Sequence, residues 1–420
     1  MRPVESKQNE MLIGGISARD LVKEFGSPLY VYNETVIKDS FRMINTSINY
    51  EKKRIHYALK ANNNLRILQI LEKEGAYIDA VSREEIMLSM KANYSAQKIL
   101  FTGINLGDND IDFAVQNGVM VNLGSLAALE RYGSRYPGTT VSIRVNPDMG
   151  AGHHDHVITG GRESKFGIYY SHKGQNDLEK AAEIAGLNKL RISGIHMHIG
   201  SGILDEKKFI SLMQIILDIA ARFKNLEFID IGGGIGVPYK PEEHDFNFKT
   251  FGKRIDEMMR SFTKQYGSSP YLALEPGRFL VAESGTLLCT VMDLKNTPSY
   301  TFAGVDSGFN HLLRPMAYGS YHPVINASRI EGLKKEYAVS GYLCESGDVF
   351  TRNENGIKPQ QITEIKIGDV LAILNTGAYG YSMASNYNAR PRPAEVLVTG
   401  GEARLIRKRE TFEDMLRTQV

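Results

Sequence analysis

Two ionisable residues stand where chain geometry makes chemistry of them, Lys60 and Glu275. Lys60 ends the run Arg54-Ile-His-Tyr-Ala-Leu-Lys60, whose apolar middle reads as a buried strand. A lysine at the mouth of such a strand is partly desolvated, which frees its amine as a nucleophile. It is then suited to hold a carbonyl cofactor as a Schiff base. Taken alone, Lys60 is more simply a surface lysine at a strand end. Gly232-Gly233-Gly234 adds a second feature: after the buried run ending at Ile231, bare backbone N–H groups could cradle a phosphate. A dinucleotide fingerprint fails there, because Val237 holds the position of the last glycine and Pro238 and Pro241 oppose a helix start. A structural glycine turn explains the run equally well.

A phosphate site beside a Schiff-base lysine suggests pyridoxal phosphate. That cofactor needs a partner for its ring nitrogen, and Glu275 in Leu274-Glu-Pro-Gly-Arg278 is the candidate. His198 could stack on the ring, or be a structural histidine. A metal reading competes. His196-x-His198 resembles the paired ligands of amidohydrolase barrels, and His153-His154-Asp155-His156 offers more donors. The pair falls on the sixth strand rather than the first, however, and the cluster sits in a Gly-rich loop better suited to a lid. No metal is expected. Cys344-Glu-Ser-Gly-Asp348 sets a thiol among acids, whose charge disfavours a thiolate and makes Cys344 a better proton donor than nucleophile; a buried core cysteine is the plainer reading.

The elements that must position these residues alternate. Strands are predicted at 54–59, 76–81, 98–102, 118–122, 140–146, 191–197, 226–231 and 271–275. Helical patterns fall between them, at 82–92, 108–117, 125–133, 177–186, 205–223 and 249–266. Such alternation predicts a (β/α)8 barrel in preference to an open doubly wound sheet. Barrel chemistry collects at the C-terminal strand ends, where Lys60, Asp79, Arg144, His198, Gly232 and Glu275 fall. After Arg278 helical periodicity fades, and short β-rich runs at 285–294, 300–305, 336–342, 370–374 and 394–399 predict an all-β domain, a sandwich or small barrel.

Composition sets outer bounds. At 420 residues, with 42% hydrophobic and 23% charged residues, the chain is an ordinary globular protein of two expected domains. A formal net charge of +2 leaves no basic footprint for nucleic acid. The N-terminus lacks the apolar core of a signal peptide. The best apolar run, 209–223, carries Gln214, Asp218 and Arg222, so no membrane span is expected. Two cysteines, Cys289 and Cys344, without a CxxC, argue against a disulfide framework and for the cytoplasm.

Taken together, Tyr57-Ala-Leu-Lys60-Ala-Asn62, His196-x-His198-Ile-Gly-Ser201, Gly232-Gly-Gly234, Glu275-Pro-Gly-Arg278, Cys344-Glu-Ser-Gly-Asp348 and Asn386-Tyr-Asn-x-Arg390-Pro-Arg392-Pro resemble, in this order, the fold-type III pyridoxal-phosphate decarboxylases, and within them the branch acting on diaminopimelate. The resemblance covers nearly the whole chain. It implies a pyridoxal 5'-phosphate-binding barrel over 34–281, and a β domain from 1–33 and 282–420 that completes the site of a partner subunit in a homodimer. It implies that Lys60 carries the cofactor, His198 stacks on its ring and Glu275 meets its nitrogen. Ser201, Gly233, Gly234, Gly277 and Tyr379 would help hold it, with Asp79 and Arg144 in support. Arg278, Arg314 and Tyr318 would grip the distal carboxylate of the substrate, near Tyr379. Glu345 would meet the distal ammonium, and Cys344 would donate the proton. The implied reaction converts meso-2,6-diaminopimelate to L-lysine and CO2. Paired, fork-shaped arginines suit a second carboxylate that an ornithine or lysine substrate lacks. The loop 152–161 varies across the family. A decarboxylase for D-lysine, D-ornithine or carboxynorspermidine is therefore the second enzyme reading; an inactive regulatory relative is opposed by the presence of both Lys60 and Cys344.

Overall fold

The computed structural model describes residues 4–150, 160–170 and 177–420. His153, His154, Asp155 and His156, weighed above as metal ligands, lie outside these residues, as does the loop 152–161 up to Thr159. The chain divides into two units. One comprises Ser40–Val237 and Asp245–Phe279; the other comprises Met1–Asp39, Pro238–His244 and Leu280–Val420.

The first unit is a closed parallel barrel. Its strands are Lys53–Ala58, Tyr77–Ala80, Ile99–Phe101, Met120–Leu123, Thr140–Asn146, Arg191–His196, Phe228–Asp230 and Tyr271–Leu274. Each pairs in parallel with the next, and the last pairs with the first. A further short strand, Ile168–Tyr169, lies against the fifth and was not foreseen. The helices between strands begin where a polar side chain can satisfy free N–H groups: Asn64, Ser82, Ser125, Asp205 and Asn247 each accept from a backbone N–H of the first turn. At the N-terminal end of the barrel, the Arg54 guanidinium lies 3.9 Å over the Tyr271 ring and 5.3 Å over that of Tyr77. Gly194 leaves room for Phe228 there, since an added Cβ would lie 2.1 Å from the Phe228 ring. That end is packed for stability, and the polar chemistry gathers at the other.

The second unit is mainly sheet. The twelve-residue strand Gly285–Asn296 is its spine. It pairs antiparallel with Leu29–Asn33, Thr301–Val305 and Val370–Ile373. Leu29–Asn33 also pairs in parallel with Ala394–Thr399, so a strand from the N-terminus is built into a sheet of C-terminal strands. The segment 28–32 alternates in sequence as a half-exposed strand would, yet Leu29, Tyr30, Val31 and Tyr32 are all fully buried. Leu29 and Val31 join the apolar core with Leu21, Leu288 and Val396. On the opposite face, the Tyr30 hydroxyl donates to His311 O and that of Tyr32 to Glu395, each at 2.6 Å.

Residues 238–244 lie inside the span read as barrel but group with the sheet unit. The reason is local. The Tyr239 ring lies 4.6 Å from the Arg314 guanidinium and edge-on to His322, and Pro238 O accepts from the Asn375 amide.

Candidate active site

Lys60 lies in a short 3-10 turn, Leu59–Ala61, just past the first barrel strand. The asparagine run after it builds that turn. Tyr57 donates to Asn62 O at 2.9 Å, the Asn62 side chain accepts from Asn64 N, and Asn64 caps the helix Leu65–Lys73. The helix therefore starts later than a strand passing directly into helix would give. The Lys60 side chain is 40% exposed, and its Nζ lies 2.6 Å from Oδ2 of Asp79, which is 1% exposed. Burial and the neighbouring Glu275 charge raise the Asp79 carboxyl, while Lys60 pulls it down, for a net rise. The pair holds the amine at the barrel mouth.

Glu275 follows the eighth strand and is 5% exposed. Its Oε2 lies 3.0 Å from His196 Nε2. Its Oε1 is buried with no partner. Burial pushes this carboxyl up, but His196, hydrogen-bonded to it, and then Lys60 and His198 outweigh burial and hold it well below the usual carboxylate range. An ionised carboxylate with one anchored oxygen and one orphaned oxygen fits a protonated ring nitrogen.

His198 accepts from the Gly233 N–H at its Nδ1, 3.2 Å away, which places the ring proton on Nε2. Burial and then the charges of Arg144 and Lys60 push its pKa well down, so the ring is neutral. His196 and His198, considered above as a metal pair, are thus committed to Glu275 and Gly233 respectively.

The glycines pack where nothing larger fits. A Cβ on Gly233 would lie 1.9 Å from Glu275 O, and one on Gly234 2.2 Å from Gly200 O. The run brings the loops after the sixth, seventh and eighth strands together. Its N–H groups are not all bare, however: Gly232 N–H donates to Asp230 Oδ1 at 2.8 Å, and Gly233 N–H to His198. Buried donors take partners inside the protein. Ser201 Oγ accepts from Arg278 Nη2 at 3.2 Å, and Arg278 is 4% exposed. Gly277 packs on the Lys60 turn, where an added Cβ would lie 3.1 Å from the Cβ atoms of Ala58 and Ala61. Arg144 lies 4.5 Å over the Phe166 ring, with Nη2 buried and unpaired.

The remaining candidates lie in the sheet unit. Arg314 opens the short helix Arg314–Tyr318. It is fully buried, with Nη1 2.7 Å from His322 Nε2 and Nη2 donating to Ser320 Oγ. His322 Nδ1 lies 2.8 Å from Leu374 O, so Nδ1 carries the proton and Nε2 accepts from the guanidinium. Tyr318 is half-buried, and so is Tyr379, which takes a left-handed backbone with φ +56°. Cys344 and Glu345 are exposed; the buried cysteine is Cys289. Asp348 organises their loop by accepting from Phe309 N–H at 2.7 Å and Leu343 N–H at 2.8 Å.

Sequence reasoning weighed His196 as a possible metal ligand, placed Asp230 at a strand end without a role, and gave none to His56, His322 or Tyr239. One signal was available. Asp230 stands two residues before Gly232, the spacing at which an aspartate side chain closes a turn. The others depend on neighbours far away in the chain.

The description "pyridoxal-dependent decarboxylase, pyridoxal binding domain" belongs to the family model that matches residues 35–282. A curated relative named diaminopimelate decarboxylase, from Methanothermobacter thermautotrophicus, is 44% identical and aligns over 98% of this chain and 96% of its own length. The diaminopimelate decarboxylase of Escherichia coli K12 is 37% identical, covering 96% and 97%. Among solved structures, diaminopimelate decarboxylase from M. jannaschii in complex with L-lysine superposes with a TM-score of 0.89 at 31% identity, over 99% of this chain and 97% of that one. The Helicobacter pylori enzyme, also with L-lysine, gives a TM-score of 0.83 at 32% identity, over 95% and 98%.

Proposed function

Because the chain belongs to the pyridoxal-dependent decarboxylases, in the diaminopimelate decarboxylase family, we propose that it removes one carboxyl group of meso-2,6-diaminopimelate as CO2 and leaves L-lysine. The observation that carries this reading is Glu275, with one oxygen anchored by His196 and the other buried and unpaired. Bound pyridoxal 5'-phosphate supplies the electron sink for the pair left behind when CO2 departs.

The chain's own residues do the rest. Lys60 anchors the cofactor through its amine, kept in place by Asp79. Glu275 would keep the ring nitrogen protonated, and the neutral His198 would stack on the ring. Ser201, Gly233, Gly234, Gly277 and Tyr379 hold the cofactor, with Arg144 behind. Arg278, Arg314 and Tyr318 bind the carboxylate at the far end of the substrate, Glu345 its ammonium, and Cys344 returns a proton to the carbon that lost CO2. Cys344 and Glu345 serve the barrel of a second copy, so the working unit is a homodimer with shared sites. The protein is cytoplasmic in this reading; no helix among the described residues is long and apolar enough to cross a membrane.

A substrate panel tests the assignment: meso-diaminopimelate, its LL isomer, both enantiomers of lysine and of ornithine, and carboxynorspermidine, with CO2 release as readout. The meso compound should be consumed in strong preference. Faster release from D-lysine, D-ornithine or carboxynorspermidine would move the protein to another branch of the family.

A further inference from the structure

We infer that Asp230 is a positioning residue that ties the two cofactor-holding features of the barrel together: one of its oxygens shapes the glycine turn and the other stands in a buried polar layer with Glu275. The inference rests on the reading that Glu275 meets the ring nitrogen and that Gly233 and Gly234 hold the cofactor.

Asp230 is the last residue of the seventh strand and is fully buried. Its Oδ1 accepts from Gly232 N–H at 2.8 Å, closing the turn that opens the glycine run. Gly232 O in turn accepts from Glu275 N at 2.9 Å, so the turn touches the backbone of the residue that would meet the ring nitrogen. The other oxygen, Oδ2, is buried and unpartnered. One ligating atom each from His56, Asp230 and Glu275 lies within 4.8 Å of the other two. Neither ring nitrogen of His56 has a partner. Three strands thus place side chains with unsatisfied atoms in one sealed layer. A metal ion there would claim the Glu275 oxygen that the ring nitrogen needs.

Charge decides what the layer is. Two carboxylates so close and so dry cannot both ionise. Glu275 has His196 as its direct partner and Lys60 nearby, so it keeps the charge. Burial raises the Asp230 carboxyl most, the charges of Glu275 and Asp79 raise it further, and the Gly232 N–H and Arg144 do not offset them. It takes the proton. His56, pushed down to about 4 by burial, is neutral as well. Asp230 is therefore a carboxylic acid with one oxygen on the glycine turn and an O–H for the layer.

An asparagine has nearly the same shape as that neutral acid and keeps its carbonyl acceptor, with an N–H donor in place of the O–H. The experiment compares wild type, Asp230→Asn, Asp230→Ala and Glu275→Gln. Each apoenzyme is first checked for folding by circular dichroism and melting. Each is then titrated with pyridoxal phosphate labelled with 15N in the ring, reading affinity by absorbance and ring protonation by the 15N shift. Asp230→Asn should match wild type in affinity to within about threefold and keep the protonated-ring signal. Asp230→Ala, which loses the turn bond and the layer's donor, should weaken affinity by roughly tenfold and move the ring signal toward the unprotonated form. If Asp230→Ala does not fold, Asp230→Val, which likewise has neither acceptor nor donor, is held to the same criteria. An Asp230→Asn signal displaced as far as that of Glu275→Gln would mean an ionised Asp230 and overturn the inference. So would an Asp230→Ala enzyme equal to wild type in both readouts. A Glu275→Gln enzyme that keeps the protonated-ring signal would instead remove the premise and the ring-nitrogen half of the inference. The affinity comparison would then judge the glycine-turn half.

Discussion

The barrel unit and the sheet unit treat their candidate residues in opposite ways. At the barrel mouth the polar groups hold one another: Lys60 with Asp79, Glu275 with His196, His198 with Gly233, Asp230 with Gly232, Arg278 with Ser201. They are largely buried, so their charges act through a medium of low dielectric and need little rearrangement when a cofactor is bound. In the sheet unit, Cys344 and Glu345 stand exposed on a loop that is ordered from beneath by Asp348. Arg314 is the contrary case, caged by His322, Ser320 and Tyr239. The contrast teaches that the candidate cofactor residues are preorganised within one unit, while the thiol proposed as proton donor stands exposed to water. An exposed thiol gains the environment of a catalytic acid only when another surface covers it, and the homodimer proposed above would supply that surface.

The sharpest way to break this contrast is to disable one group in each unit. Lys60→Ala should lower kcat/KM on the order of ten-thousand-fold or more, and borohydride should fix the cofactor to Lys60 and to no other lysine in wild type. Cys344→Ala should also be nearly inactive. Co-expressing the two variants should then restore activity. In a two-fold dimer that draws Lys60 from one chain and Cys344 from the other, a mixed dimer has one site with both lesions and one with neither. Random exchange makes about half the dimers mixed, so about a quarter of all sites are intact. Mixed dimers confirmed by tag pull-down, yet no more active than the parents, would end the shared-site model.

Next in size is Arg314→Ala. Losing one partner of a desolvated carboxylate should cost about a hundredfold in kcat/KM for meso-diaminopimelate, with cofactor affinity little changed. Tyr318→Phe should follow in the same direction with a smaller loss. Because His322 Nε2 loses its donor, the Arg314 variant should also melt earlier, by about 1–3 kcal/mol of stability. Near-normal kcat/KM in that variant would take the second carboxylate away from the substrate.

The smallest effect compares one acid from each unit, the half-buried Glu85 and the buried Asp348. Burial raises Glu85 from 4.5 to about 7, against the Val81 N–H that it accepts. Its folded value lies above its unfolded one, so the folded state binds the extra proton and stability falls as pH rises from about 4.5 to about 7. Gln escapes that cost and can still accept from Val81. Glu85→Gln should therefore gain on wild type between pH 5 and pH 8, by about 2 kcal/mol. Burial raises Asp348 from 3.8 to about 6, with the same sign of linkage. Each of its oxygens accepts a different N–H, however. Asp348→Asn must turn an amide N–H toward one of them, and should destabilise by about 1–3 kcal/mol despite the linkage gain. Thermal melts at both pH values read the pair. A pH-independent offset for Glu85→Gln, or a stabilised Asp348→Asn at pH 8, would remove the distinction.

Much of this protein was determined by local sequence. Alternating apolar runs and helical stripes located the barrel strands to within a few residues, because strand and helix periodicities are properties of short windows. The candidate residues could be picked out because Lys60, His198, the glycine run and Glu275 fall just after predicted strands, at the end where barrel chemistry collects. Tertiary structure decided what those residues lean on. That His56, Asp230 and Glu275 share one layer depends on how the first, seventh and eighth strands close into a barrel, and no window of one strand contains that register. The cage around Arg314 draws Tyr239 from a segment that precedes it by dozens of residues and lies inside the span read as barrel. The strand Leu29–Asn33 is a central strand only because chain from residues 285 and 394 onward pairs with its two edges. Sequence periodicity reports which face of an element avoids water; which distant element covers that face, and which polar atoms are thereby left to pair, is settled only by non-local packing.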